Sequence, residues 1–184
     1  MDDALVLAVR HLKVGQAVGD SAQVVVQQFR PRLLSYFRHH NFSDADAEDL
    51  VQETFRRVLA GIHGLNDESK FLPWLFQIAR NVQLSARAVI FQRKEEALDS
   101  VETARMTDSS EDAVSRSMNR ERVERVWKAL DQLPPRQKQC LVMRTTQEMS
   151  YEEIATVMRL SVNTVRNHLR EARLHLKRLL DGDA

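Results

Sequence analysis

The sequence predicts an all-α protein made of two small helical domains, joined by a flexible acidic linker, with a helix-turn-helix in the C-terminal domain. Five glycines and four prolines in 184 residues leave little material for the turns of a β-protein. Apolar residues recur at three- and four-residue steps on both sides of one acidic stretch, as they do in amphipathic helices.

Charge along the chain indicates the domain division. The whole chain carries a net charge of +1, which favours no class of partner. Residues 95–115 hold one basic and seven acidic side chains and few large apolar ones, so they cannot bury enough surface to offset ordering entropy. We therefore predict domains at 1–94 and 116–184 joined by a linker at 95–115, with a surface loop inside one domain as the alternative.

Several classes of protein are disfavoured by composition. The single cysteine excludes an internal disulfide framework and suggests a reducing compartment. Neither a signal peptide nor a membrane-spanning run is found, so a cytoplasmic protein without membrane insertion is expected. The histidines form no metal-ligand pattern, and no glycine loop for phosphate is present. We expect neither enzymatic activity nor a cofactor.

Two amphipathic helices are predicted in the first half of the N-terminal domain. The first covers about residues 23–39, and Pro31 either kinks it or marks its first turn. The second begins after Ser43, whose hydroxyl can cap the free amides, and stops at Gly61. Their apolar positions are Val25, Val26, Phe29, Leu33, Leu34 and Phe37, then Ala47, Leu50, Val51, Thr54 and Val58.

The second helix carries an acidic surface. Between Asn41 and Glu53 there are five acidic residues and no basic one. Asp46, Asp49 and Glu53 fall on one narrow helix face, where like charges repel each other. Acids in the first turn complement the helix dipole without any partner, but Glu53 lies beyond that turn. A basic protein partner would explain all of them together.

A third helix is predicted from about Phe71 to Arg93, with Pro73 tolerated in its first turn. Proteins bind single-stranded nucleic acid through aromatic rings that stack on bases and cations that contact phosphates. Aromatic residues at helical spacing are also typical of a core, and we expect at least half of these rings to be buried. The interleaved set is Lys70, Phe71, Trp74, Phe76, Arg80, Asn81 and Arg87, and the apolar positions are Trp74, Leu75, Ile78, Val82 and Leu84.

The C-terminal domain contains the pattern of a helix-turn-helix. A helix marked by Val123, Val126, Trp127 and Leu130 ends at LPP, and Pro134 and Pro135 open the next one. Ser150 and Glu153 match a capping box before the short helix YEEIATVM. After the turn RLS, Ser161 can cap a long last helix. Short helices followed by a tight turn and a longer helix are typical of DNA-binding units.

The last helix has two separate faces. One is apolar, and the other holds four cations within about 60° of each other. Arginine suits guanine and asparagine suits adenine, so the residues nearest the start are predicted to read bases and the later ones to hold phosphates. A plain surface helix is the alternative. The apolar face is Val165, Leu169, Ala172, Leu176 and Leu179; the predicted readers are Asn163, Arg166, Asn167 and Arg170, and the predicted anchors are Arg173 and Lys177.

Six motifs in order, FRPRLLSYF, DADAEDLVQETF, FLPWLFQIARN, LPPRQ, YEEIA and TVRNHLREAR, span about residues 20–180. In this combination the chain resembles the extracytoplasmic-function (ECF) group of the bacterial sigma-70 family. The resemblance implies a domain that docks on RNA polymerase core and melts the −10 element, a flexible linker, and a domain that binds the −35 element. It implies a factor that directs core polymerase to specific promoters and initiates transcription.

The resemblance also implies the partners and the residues that meet them. The partners are the β′ clamp helices and β flap of polymerase, promoter DNA, and an anti-sigma factor. Asn81 matches a base-contacting asparagine of the family. The implied sets are Asp46, Glu48, Asp49, Gln52 and Glu53 for the clamp helices; Lys70, Phe71, Trp74, Arg80, Asn81 and Arg87 for −10 DNA; and Ser161, Asn163, Thr164, Arg166, Asn167, Arg170, Arg173 and Lys177 for −35 DNA.

The chain departs from the family pattern near its helix-turn-helix. Arg159 stands where the family often has glycine, and a left-handed backbone there would cost about 1 kcal/mol. Ser161 and Asn163 replace the usual proline and glycine. Two other classes stay open from the residues alone. A one-component helix-turn-helix regulator leaves the acidic helix unexplained, and an interaction adaptor predicts no dependence on DNA.

Overall fold

The computed structural model describes residues 3–97 and 125–181, and every regular element within these ranges is helical. The chain divides into two compact units that separate between the two described ranges, except that residues 156–159 group with the first unit. The all-α prediction with two helical units is confirmed. Of the predicted linker, only residues 95–97 are described, and they continue a helix; residues 98–115 lie outside the described residues.

The described part of the first unit contains four helices. These are α1 (Asp3–Val14), α2 (Val18–His39), α3 (Asp44–Gly61) and α4 (Phe71–Ala97), with short 3-10 turns at Ile62–Gly64 and Glu68–Lys70. Helix α1 was not among the predicted helices. It packs along α2 through the buried side chains Leu5, Ala8, Val9 and Leu12, which recur at helical spacing. Lys13 at its end forms an ion pair of 2.9 Å with Glu68.

The core of the first unit follows the seam between α2 and α4. The ring centroids of Phe29 and Phe71 lie 5.5 Å apart, and those of Tyr36 and Phe76 lie 5.6 Å apart. The buried Tyr36 hydroxyl donates a hydrogen bond of 2.9 Å to Oε1 of Gln83. Burial raises the pKa of Tyr36, so its hydroxyl keeps the proton that this bond requires.

The helix bounds differ from the predictions at three points. Helix α2 begins five residues earlier than residue 23 and runs through Pro31, so the prediction that Pro31 could mark a first turn is wrong. Helix α4 continues past Arg93 to Ala97. Leu84 was predicted to be apolar core but is 44% exposed, because it lies off the face of α4 that packs on α3 and holds the Phe76 and Gln83 contacts with α2.

The second unit contains α5 (residues 125–131), α6 (Pro135–Thr145), α7 (Tyr151–Met158) and α8 (Val162–Asp181). The two prolines predicted to open α6 lie at its start, with Pro134 as the N-cap and Pro135 as the first helical residue. The predicted apolar residues Val126 and Trp127 are 39% and 38% exposed, so they contribute less to the core than the sequence indicated. Helix α6 packs on α8, and the buried side chains of α6, α7 and α8 include Cys140, Met143, Ile154, Val165, Leu169 and Ala172.

Three predicted helix caps are confirmed. In the capping box of α7, the backbone N–H of Ser150 donates to the Glu153 carboxylate at 2.7 Å, and the N–H of Glu153 donates to the Ser150 hydroxyl at 3.1 Å. The Ser161 hydroxyl accepts the N–H of Thr164 at 3.0 Å and caps α8. The Ser43 hydroxyl caps α3 in the same way. Such caps satisfy amides that a helix leaves unpaired.

The turn between α7 and α8 is a left-handed helix cap centred on Arg159. Its φ is +53°, which is the left-handed backbone expected at a position where the family often has glycine. The N–H of Leu160 donates to the carbonyl of Ala155 at 3.0 Å, and the N–H of Arg159 donates to that of Thr156 at 3.3 Å. This is the hydrogen-bond pattern of a Schellman motif, in which glycine is the usual left-handed residue. Arginine there costs about 1 kcal/mol relative to glycine.

We expect Phe71→Ala to destabilise the first unit by about 3–5 kcal/mol, because Phe71 is fully buried against Phe29. The matched control is Phe91→Ala on the same helix, where the ring is 64% exposed and the loss should stay within about 0.5 kcal/mol. Urea denaturation followed by circular dichroism measures both. Equal losses in the two variants would contradict the placement of Phe71 in the core.

Candidate functional site

The two predicted faces of α8 are confirmed at its first three turns. Val165, Leu169 and Ala172 are buried against the unit's core. On the other side four cations are exposed, and none of them forms an ion pair or a hydrogen bond with any residue that the structure describes: Arg166, Arg170, Arg173 and Lys177. Because like charges repel, an uncompensated set of four is typical of a surface that binds an anionic partner.

The first turn of α8 is fixed by hydroxyl groups. The hydroxyls of Ser161 and Thr164 lie 2.8 Å apart and form a hydrogen bond, in addition to the backbone cap. Both predicted contact residues are therefore already bonded within the chain. Asn163 and Asn167 are exposed and have no hydrogen bond within the described residues, so their amides are available to an external partner. The predicted readers are thus all exposed and lie within the first three turns.

Only some residues of the acidic surface of α3 lack hydrogen bonds and ion pairs within the described residues. Asp49 and Gln52 are exposed and make no ion pair or hydrogen bond within the described residues. Asp46 is exposed as well, but its carboxylate accepts a hydrogen bond of 2.6 Å from the Ser43 hydroxyl. Glu48 pairs with Arg30 of α2 at 2.5 Å. The five predicted docking residues therefore differ in how available they are.

Glu53 has internal counter-charges, so a basic protein partner is not needed to explain this acid. Nε and Nη2 of Arg56 donate to its two carboxylate oxygens at 2.7 and 2.8 Å, and Nε of Arg57 donates at 2.7 Å. The hydrogen bonds from Arg56 and then Arg57 lower the pKa of Glu53 from 4.5 to about 2. The stretch from Asn41 to Glu53 contains no basic residue. Both arginines follow one turn later and therefore lie outside that stretch.

The aromatic and basic segment at the start of α4 is divided between core and surface. Phe71 and Phe76 are fully buried, in line with the expectation that half the rings are core. Stacking of Phe71 on a base, as predicted, would therefore require the core to open. Trp74 is half-buried, and its ring packs on Gly61, where a Cβ atom would come within 3.4 Å of Cζ2. Of the three rings, Trp74 is the one that reaches the surface.

The basic residues of this segment also differ. Lys70 and Asn81 are exposed, and Lys70 has only a loose ion pair of 3.7 Å with Asp67. Arg80 is half-buried, and its buried Nε has no hydrogen-bond partner in the described residues. Arg87 is exposed but donates from Nη2 to the carbonyl of His40 at 2.8 Å, which joins α4 to the end of α2. Arg87 thus has a structural contact that the sequence did not indicate.

The pairing arginines are the functional residues that sequence reasoning missed. Arg56 and Arg57 follow Glu53 at three- and four-residue spacing, which is the ordinary signal for a helical ion pair. Arg30 is 18 residues from Glu48 and lies on another helix, so only the packing of α2 on α3 reveals that pair. In the described ranges no group of three potential metal ligands occurs, and no helix is long and apolar enough to span a bilayer.

We expect the Glu53 carboxylate to stay ionised well below pH 4.5, because two guanidinium groups hold its proton affinity down. Its folded pKa is lowered, so the stabilisation from these pairs is present above about pH 4.5 and is lost as the pH falls toward 2. Carboxyl-detected NMR titration of the intact chain measures this directly. Arg56→Ala with Arg57→Ala should return the Glu53 pKa toward 4.5, and an unchanged midpoint would contradict the pairing.

Comparison with known proteins matches both units to one family. The Sigma-70 region 2 model matches residues 25–88, and the Sigma-70, region 4 model matches residues 123–176. Together these matches span more than half of the chain. The first begins within α2 and the second covers the helix-turn-helix, so α1 lies outside both.

The relatives extend the match over most of the chain. The chain is 30% identical over 161 residues to the RNA polymerase sigma factor YlaC of Bacillus subtilis (strain 168), which covers 86% of this chain and 91% of that protein. It is 31% identical over 134 residues to the ECF RNA polymerase sigma factor SigM of the same organism, covering 72% and 78%.

Solved structures show the same fold. The sigma factor RpoE, from a co-crystal structure with the anti-sigma factor NepR from Bartonella quintana, matches with a TM-score of 0.65 at 23% identity, covering 88% of this chain and 98% of that one. Both region models follow each other in order, and the relatives match across both units. The chain therefore belongs to the sigma-70 family, as an ECF sigma factor that acts in transcription initiation.

Proposed function

We propose that the two units divide a promoter between them. The first unit, residues 1–94, docks on RNA polymerase core and captures the −10 element, and the second, residues 116–184, binds the −35 element through α8. Residues 95–115 join them. The observation that carries this proposal is the face of four exposed cations on α8 that pair with no described residue, opposite a stripe that is buried in the core.

The assignment within α8 follows from distance along the helix. A recognition helix reads base edges from its first turns, where Asn163, Arg166, Asn167 and Arg170 are exposed. Arg173 and Lys177 lie about three to four turns in, where a straight helix begins to leave the curving groove, so they are assigned to phosphates. The bonded hydroxyls of Ser161 and Thr164 are assigned to fixing the start of the helix rather than to reading bases.

Docking on the β′ clamp helices is assigned chiefly to Asp46, Asp49 and Gln52, which are the exposed members of the predicted set. A basic partner surface would gain most from Asp49, whose charge has no internal counter-charge among the described residues. Glu48 and Glu53 are already paired, so a partner would have to share or displace their arginines. A contact of the second unit with the β flap completes the proposed holoenzyme.

For the −10 element, we assign direct contact to Lys70, Trp74, Arg80 and Asn81. Lys70 and Asn81 are exposed, while Trp74 and Arg80 lie partly at the surface. Phe71 is assigned to the support of Trp74, since the two ring centroids are 6.0 Å apart. Arg87 is assigned to holding the end of α2 through the His40 carbonyl. This replaces the predicted DNA contact of Phe71 with a positioning role.

Three further properties belong to the proposal. The chain acts in the cytoplasm, where core polymerase and DNA are found. It has no catalytic activity of its own, because polymerase carries out the chemistry. An anti-sigma factor controls it by covering DNA-binding surfaces. This last property is supported by the likeness to RpoE of Bartonella quintana, a sigma factor that was crystallised in complex with the anti-sigma factor NepR.

We expect Asp49→Arg to weaken binding to core polymerase at least tenfold, because it places a cation against a basic surface. Fluorescence anisotropy of the labelled full chain, titrated with purified core, measures the affinity. Asp20→Arg is the matched control, since Asp20 is an exposed acid of the same unit in the first turn of α2. Equal weakening by both variants would show a general charge effect and contradict docking through α3.

We expect Arg166→Ala and Lys177→Ala to act differently on DNA. Loss of a base-reading arginine should cost about 1–3 kcal/mol on the preferred −35 sequence and relax selectivity at one or two base pairs. Loss of the lysine should weaken all sequences about equally and reduce the salt dependence by roughly one phosphate contact. Holoenzyme is titrated with single-base variants of a promoter fragment that it selects from a genomic library.

The order of affinities among the single-base promoter variants distinguishes base reading from phosphate contact. If Arg166→Ala leaves that order intact, Arg166 does not read bases, even where DNA binding survives. If Lys177→Ala changes the order, the division of α8 into readers at its start and phosphate anchors further along is wrong. Both residues are exposed, so neither substitution should alter the melting temperature by more than about 2 °C.

A further inference from the structure

The turn before α8 holds a cation in a backbone conformation that its residue type disfavours. Arg159 has a φ of +53° and is exposed. Left-handed residues also occur at Ala17, Asn41 and Glu148, so the backbone alone indicates no role. Arg159 differs from these three because it is positively charged and lies at the entrance of the helix that carries the cationic face.

Nothing within the described residues requires arginine at this position. The Schellman hydrogen bonds around Arg159 use only backbone atoms, which glycine would supply with less strain. The side chain makes no ion pair or hydrogen bond with the residues that the structure describes, and it is not part of the core. A strained residue whose side chain does nothing for the fold is a candidate for a role outside it.

In a helix-turn-helix bound to DNA, the position of Arg159 corresponds to the edge of the major groove. It precedes the cap residue Ser161 by two residues, so its Cα lies within roughly 7 Å of the start of α8. When the first turns of such a helix enter the major groove, the chain just before them crosses the edge of the groove, where the phosphates run. A guanidinium group binds phosphate through two parallel hydrogen bonds.

We infer that Arg159 contacts a backbone phosphate at the −35 element, as an additional DNA-binding residue in the turn of the helix-turn-helix. This inference rests on the proposed function of α8. The contact adds a cation ahead of the base-reading turns, whereas Arg173 and Lys177 hold phosphates behind them. It fixes position along the duplex and carries no sequence information of its own, because every phosphate is alike.

The test uses opposite effects on stability and on binding. Arg159→Gly removes the charge and relieves the backbone, while Arg159→Ala removes the charge and keeps the strain. We expect the glycine variant to melt about 4 °C above the alanine variant. Both should bind DNA about three- to tenfold more weakly than the wild type at low salt, and Arg159→Lys should retain most of the affinity. A merely structural role would make binding follow stability.

Binding is measured as anisotropy of a labelled 30-base-pair duplex of random sequence, titrated with the full chain at several salt concentrations. We expect Arg159→Gly to lower the slope of log affinity against log salt by about 0.9, the value of one phosphate contact. An unchanged slope with unchanged affinity would overturn the inference. So would a glycine variant that binds as tightly as the lysine variant.

A parallel titration of Lys177→Ala keeps this inference separate from the proposed function. If Lys177→Ala weakens binding and Arg159→Gly does not, α8 binds DNA and only the contact from the turn is wrong. If the wild-type chain does not bind the duplex at all, or if neither substitution has any effect, the proposed role of α8 fails and the inference fails with it.

Discussion

The first unit depends on the buried seam between α2 and α4. Phe29 packs against Phe71, and Tyr36 donates from its buried hydroxyl to Gln83. Leaving that hydroxyl unpaired in the core would cost about 1–3 kcal/mol, so the hydrogen bond also specifies how the two helices align. Because one face of α4 is committed to this seam, the opposite face is committed to solvent. One helix thus supplies both the core and the exposed residues such as Asn81 that we assign to DNA.

Neighbouring arginines decide which acidic side chains of α3 are neutralised within the chain. Exposed ion pairs contribute little to stability because water and salt screen them. Their effect here is to decide which acids remain available: Glu48 and Glu53 are neutralised locally, while Asp49 has no counter-charge among the residues in the described ranges. In the proposed docking surface, the acid without a counter-charge would attract a basic partner at long range. The acids paired with arginine would have fixed side-chain positions at the edges of that surface.

The second unit is organised by hydrogen bonds at helix ends. The capping box of Ser150 and Glu153 starts α7, the left-handed Arg159 ends it, and the Ser161 hydroxyl starts α8. Each device satisfies backbone groups that a helix terminus leaves open, so the direction of the chain through the turn is set without large side chains. The buried stripe containing Leu169 then fixes the rotation of α8 about its axis, which turns the cationic face outward.

The sequence by itself determined the helical class, the three caps, the two faces of α8 and the family, because these depend on local spacing and on hydrogen bonds within a few residues. Only the tertiary structure decided which aromatic residues are core and which acids are free. Phe71 and Trp74 have similar local context, and their burial differs only because the ring of Phe71 packs on Phe29 of α2. The partner of Glu48 comes from a distant helix. Contacts between helices are set by packing, which local periodicity does not encode.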